Sequence, residues 1–156
     1  MATAPLITFT IFALIVVSSL TAAAETPFVV AHKKASFLKL KSSPERVSVS
    51  IDVYNHGSVA LYDVSLADDS WSPEIFDFVA GNTSMSWEKI DAGSQVSHSF
   101  ELESKVKTTY YSAPAVITYR IPAKSKLQEA YSTPIPALET LAEKAVAYKI
   151  DLAKVT

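Results

Sequence analysis

Val47, Val49, Ile51 and Val53 alternate with Ser48, Ser50, Asp52 and Tyr54, a period-2 pattern that predicts a strand with one face buried and the other wet. Asn55-His56-Gly57 comes next and supplies Asn and Gly, the residue types that tolerate positive φ, so a turn is expected there. Beyond it Tyr62, Val64 and Leu66 alternate with Leu61, Asp63 and Ser65. The expectation is a β-hairpin.

Short alternating segments recur along the chain. Phe28 to Ala31 and Ser36 to Lys41 are predicted as first edge strands, ended by Ser42-Ser43-Pro44. Phe76 to Val79 and Met85 to Ile90 are next, and Asp91-Ala92-Gly93-Ser94 turns the chain into Gln95 to Lys105. In that segment Val96, His98, Phe100 and Leu102 share the inward face, and Ser97, Ser99, Glu101 and Glu103 the outward one. Ala115, Ile117, Tyr119 and Ile121 mark another strand, and Leu127 to Ser132 the last. Pro44, Pro73, Pro114, Pro122, Pro134 and Pro136 fall at segment ends, where a missing backbone donor does little harm. About seven to nine short strands predict an all-β fold, an immunoglobulin-like antiparallel β-sandwich over residues 25–136.

Both ends read differently. Leu6 to Leu20 is an apolar run broken by Thr8, Thr10, Ser18 and Ser19, and Ala22 and Ala24 fit an A-x-A cleavage site, so residues 1–24 are expected to be a signal peptide. Beyond Pro136, Leu138, Leu141, Ala145, Tyr148 and Leu152 recur at helical spacing, with Glu139 and Glu143 early and Lys149 and Lys154 late. Residues 137–156 therefore read as a short amphipathic helix or as a tail that orders on a partner.

Composition removes most enzyme classes. The 3 glycines, Gly57, Gly81 and Gly93, lie in separate turns and cannot assemble a phosphate-cradling loop. With 0 cysteines there is no thiolate ligand, thiol nucleophile or disulfide, so the sandwich must be held by its core alone. Fourteen basic against 16 acidic residues, a net charge of −2, gives no electrostatic footprint for nucleic acid or anionic lipid.

Candidate chemistry is correspondingly sparse. Asn82-Thr83-Ser84 fits the N-glycosylation acceptor in an expected loop. Asp63, Asp68, Asp69, Glu74 and Asp77 supply oxygen ligands of the kind calcium takes, yet no EF-hand spacing is present, and acidic strand-end loops are ordinary solvated surface. His32, His56 and His98 are dispersed. Ser97 and His98 must point to opposite faces of a strand and cannot form a dyad, while Glu101 and Glu103 share the polar face and read as surface charge. No catalytic residue, metal site or cofactor is expected. Tyr110, Tyr111, Trp71 and Phe76 lie near loops, either as partner anchors or, for Trp71 and Trp87 in particular, as caps on the core. Free strand edges are a further docking surface.

The ordered run Y-N-H-G, L-Y-D-V-S-L and D-D-S-W between Val53 and Trp71, followed by F-D-F-V-A-G, S-W-E-K-I, S-Q-V-S-H-S-F and A-V-I-T-Y, resembles the beta subunit of the translocon-associated protein complex, the signal-sequence receptor beta family. The likeness extends to about Pro136. It implies a cleaved signal, a lumenal sandwich and one C-terminal span, in a subunit that sits with sister subunits beside the Sec-type channel of the endoplasmic reticulum membrane and assists translocation of nascent chains. Relatives often carry a sequon in a later strand; here Gln95 stands in Ser94-Gln95-Val96-Ser97, so that site does not transfer. Nothing between Pro136 and Thr156 approaches 18 apolar residues, so the chain is expected to be truncated before the span or held by partner subunits. The alternative function is a secreted immunoglobulin-like binding module.

Overall fold

A computed structural model describes residues 28–38, 45–122 and 124–140. The expected signal peptide and most of the expected C-terminal helix lie outside them. Ten strands follow in order: β1 (Val29–Leu38), β2 (Arg46–Asn55), β3 (Leu61–Ala67), β4 (Phe76–Ala80), β5 (Ser84–Ile90), β6 (Gln95–Ser104), β7 (Thr108–Tyr110), β8 (Val116–Ile121), β9 (Lys124–Tyr131) and β10 (Leu138–Thr140). One four-stranded sheet has the order β1-β2-β6-β4, the other β5-β3-β8-β9, and β10 pairs with β7 in a small third sheet. All pairings between these strands are antiparallel.

The predicted β-sandwich is therefore present. β2 and β6 are the centre of one sheet, β3 and β8 the centre of the other, as strands B/E and C/F are in an immunoglobulin-type domain. Val47, Val49, Ile51 and Val53 of β2, with Phe100 and Leu102 of β6, form one core cluster with Leu61, Val64 and Leu66 of β3 and Ile117, Tyr119 and Ile121 of β8. Burying these side chains supplies most of what offsets the entropy of ordering the chain.

Four expectations need correction. β2 and β3 are not a hairpin: β2 is flanked by β1 and β6, and β3 by β5 and β8. Their apolar faces do better stacked across the core than side by side in one sheet, so residues 56–60 carry the chain from one layer to the other. Asn55, itself buried, fixes this crossing by donating Nδ2 to the Val59 and Ile90 carbonyls at 2.9 and 3.1 Å, while Gly57 N donates to its Oδ1 at 3.0 Å. Among the described residues the positive φ values fall elsewhere, at Asp63, Gly81 and Gly93.

Within β3, Tyr62 does not share a face with Val64 and Leu66 as the alternation predicted. Asp63 adopts φ 48°, and the register with β8 shifts between Tyr62 and Ser65. This bulge resets the alternation so that Leu61, Val64 and Leu66 are buried and Tyr62 is exposed. At the N-terminal side the two expected strands are one, β1, running through His32-Lys33-Lys34. At the other end Leu138–Thr140, expected at the start of a helix, extends against β7, where Thr140 Oγ1 takes a hydrogen bond from Thr108 N at 3.1 Å. Pairing with a partner strand outweighs a helical spacing that this segment alone is too short to stabilise.

Candidate functional site

β1 turns Ala31, Lys33 and Ala35 inward, opposite Val53, Ile51 and Val49 of β2. Lys33 thus enters the core on an alanine-lined path. From the opposite layer β3 ends at Ala67 and delivers Asp68, whose backbone N donates to the Thr83 carbonyl at 3.0 Å. Lys33 Nζ lies 2.7 Å from Asp68 Oδ2 and 2.9 Å from Oδ1, and both side chains are fully buried. The ammonium also donates to Ser112 Oγ and to the Ala113 carbonyl, the latter at 2.9 Å. Asp68 accepts further bonds from Trp71 Nε1 at 2.9 Å and Ser70 Oγ at 3.0 Å. The pair links the two sheets and is saturated with hydrogen bonds, the condition under which a buried ion pair is tolerated.

An aromatic cluster closes over it. Lys33 Nζ stands 5.0 Å from the Trp71 ring centroid, within cation–π range. Trp71 meets Phe76 edge-on at 5.2 Å and stacks on Tyr110 at 5.5 Å. Burial pulls the Lys33 ammonium below its ordinary value of 10.5, with Asp68 acting in the opposite sense through its hydrogen bond and charge. Burial likewise pushes the Tyr110 hydroxyl up, against hydrogen bonding to Ser72 and Ser70. Every polar group of this cluster is engaged with another, so the arrangement cross-links the layers and offers no open coordination or reaction position.

The residues singled out from sequence are spread over the sandwich. Asn82 is exposed between β4 and β5, with its carbonyl accepting a hydrogen bond from His98 Nε2 at 2.5 Å. Gly81 precedes it with φ +76°; a Cβ there would lie 2.9 Å from the Ser99 carbonyl, so glycine is needed for the close approach to β6. The acidic residues do not converge. Asp68 is neutralised by Lys33, Asp77 pairs with Lys105 at 2.9 Å, and Asp63 lies 3.5 Å from Arg120. Among the described residues no group of three His, Asp or Glu side chains is placed to hold a metal ion. Ser97 donates to Asp52 at 2.6 Å, away from His98. His32 Nδ1 meets Thr133 Oγ1 at 3.0 Å, and His56 stacks on Tyr54 with 5.7 Å between centroids. Glu101 faces Arg46 at 3.4 Å, and Glu103 lies opposite Arg46 in the strand register. Trp71, Phe76 and Tyr110 are core residues, Trp87 is packed against the core, and Tyr111 is exposed. Among the described residues the outermost strands of the two large sheets are β1, β4, β5 and β9, and β1 is covered at its edge where Ser132 bridges Ala31 and Thr133 N donates to the Ala31 carbonyl at 2.9 Å.

Family comparison decides what this scaffold is. The family model described as Translocon-associated protein beta matches residues 10–155, a span that includes all ten strands. The chain belongs to the translocon-associated protein beta family. A curated relative from Dictyostelium discoideum, the translocon-associated protein subunit beta, is 30% identical over 76 residues, which is 49% of this chain and 41% of that relative. The match thus spans well under two thirds of the relative's length. Two solved structures of the GH20 exo β-N-acetylglucosaminidase from Vibrio harveyi, one with N-acetylglucosamine and one an inactive mutant, overlay 74% of this chain on 19% of theirs with 15% identity and a TM-score of 0.42. At that overlap the enzyme says nothing about this protein.

As a translocon-associated protein beta chain the molecule has the all-β, cysteine-free sandwich expected of it. Among the described residues no helix is long and apolar enough to cross a membrane. Sequence reasoning missed Lys33 and the partnership it makes. The available signal was a lysine in phase with Ala31 and Ala35 inside an otherwise strand-like run.

Proposed function

We propose that this chain is a non-catalytic subunit of the translocon-associated protein complex of the endoplasmic reticulum. Its sandwich lies in the lumen, binds sister subunits and is positioned beside the Sec-type protein-conducting channel, where it assists co-translational translocation of secretory and membrane proteins. The observation that carries this reading is the family match over nearly the entire chain. The structure is compatible with it: the buried Lys33–Asp68 pair is engaged in cross-linking the layers, and what the domain offers its surroundings is surface and strand edges.

Asn82 is the glycosylation site in this reading, supported by its exposure at the β4–β5 turn and by the acceptor sequence Asn82-Thr83-Ser84. Photocrosslinking from the exposed Tyr111 position, in microsomes translocating a secretory chain, tests the placement. Crosslinks to channel or complex subunits are expected. Absence of such crosslinks, with the protein recovered only in the soluble lumenal fraction of those microsomes, contradicts the proposal and favours a free binding module.

A further inference from the structure

β4 and β5 are consecutive in the chain but belong to opposite sheets, and each is the outermost strand of its sheet. Residues 81–83 join these two outermost strands, whose outer sides are unpaired among the described residues. Phe78 and Val79 of β4 and Met85 of β5 are exposed by 48%, 37% and 41%, and a bulge between Phe78 and Ala80 interrupts pairing with β6 there. An apolar strip beside unpaired strand edges is a template for association with other chains unless something covers it.

Asn82 is at the centre of this strip. Val79 and Met85 lie three residues to either side, which at roughly 3.3–3.6 Å per extended residue places them within about 11 Å along the chain. The turn that carries Asn82 is rigid: Gly81 is held in its left-handed conformation against β6, and His98 and Asp68 fix the carbonyls of Asn82 and Thr83. A sugar attached there departs from a defined point and direction. The C–H face of an N-acetylglucosamine ring is apolar and slightly positive, complementary to the negative face of a phenyl ring such as Phe78.

We infer that the N-acetylglucosamine core attached at Asn82 folds back over Phe78, Val79 and Met85 and covers the two adjoining strand edges. The inference rests on the reading of Asn82 as a glycosylated residue. The oligosaccharide is then a structural cover for an apolar edge, and partner subunits dock elsewhere.

The test compares the full chain made in microsomes with its Ser84→Ala variant, which removes the acceptor without adding charge. Peptide mass spectrometry first establishes occupancy; an unmodified Asn82 in the wild type overturns both the glycosylation reading and the cover. With Asn82 occupied, the expected results are a severalfold rise in binding of an apolar fluorescent dye in Ser84→Ala and faster amide exchange across residues 76–80 and 84–90. A further Phe78→Ser/Met85→Ser change should abolish the rise in dye binding. Equal dye binding and exchange in the glycosylated and unglycosylated proteins, or protection of the strip only after sister subunits are added, would overturn the cover while leaving glycosylation intact.

Discussion

Removing one member of the Lys33–Asp68 pair leaves the other as a charge in the core. At an effective dielectric of about 20, two unit charges 2.7 Å apart attract by roughly 6 kcal/mol. That is comparable with the several kcal/mol that each ion loses on leaving water. The intact pair is therefore close to break-even against an uncharged replacement, whereas a broken pair is not. Lys33→Met and Asp68→Asn should each destabilise the domain by about 3–5 kcal/mol. The double variant, which keeps an acceptor for Trp71 and removes both charges, should lose only about 1–3 kcal/mol, far less than the sum. Urea unfolding followed by tryptophan fluorescence measures all three, because Trp71 bonds to Asp68 directly. The pH dependence supplies an independent check. In Asp68→Asn the folded Lys33 loses the partner that raises its pKa, so burial lowers it further from 10.5. Between the folded and unfolded values the unfolded chain holds more protons, so the stability of this variant should rise with pH across that window. Additive single losses in the double variant, or single losses under about 1 kcal/mol, would refute the assignment of this pair as the cross-link between the layers.

Three further outcomes follow from the structure. Gly81→Ala meets both a left-handed φ and the Ser99 carbonyl, whereas Gly93→Ala meets the left-handed φ in open space; losses of about 2–4 and about 1 kcal/mol are expected in thermal unfolding, and equal losses would remove the packing argument. Ser97 holds the Asp52 carboxyl below its ordinary 3.8, aided by Lys34 and opposed by burial. This stabilisation is present above pH 3.8 and is lost as pH falls through the lower folded value, and an NMR titration of Ser97→Ala should show the Asp52 midpoint moving up toward 3.8. An unchanged midpoint would contradict the bond. Burial raises the Tyr119 hydroxyl above 10.0, so stability tied to its proton is full below pH 10.0 and is lost as pH rises through the folded value. Tyr119→Phe should flatten the alkaline limb of the stability profile, and an identical limb would show that another group sets it.

Strands whose neighbours sit on one regular face were legible from sequence. β2 and β8 bury every second residue without interruption, and their alternation is visible in the letters. β3 was misread at Tyr62 because the bulge at Asp63 shifts the phase, and only the left-handed φ of one residue records it. β1 was split because Lys33 and its neighbouring charges look like a loop; the lysine is inward only because Asp68, on the other sheet, meets it there. β7 and β10, each Thr- or Glu-containing and very short, carry too few positions for periodicity. The supposed hairpin shows the same limit, since turn chemistry at Asn55-His56-Gly57 was recognised but not the layer to which the chain returns. For the candidate sites the contrast is similar. Asn82 is defined by three adjacent residues, while the Lys33–Asp68–Ser112 cluster joins three distant segments and leaves no local trace.

The central claim is membership of a working complex, and affinity purification of the tagged full chain from detergent-solubilised endoplasmic reticulum membranes tests it most directly. Stoichiometric recovery of the other translocon-associated subunits together with the Sec-type channel is the expected result. Recovery of the chain alone, from membranes in which that complex is otherwise intact, would contradict it.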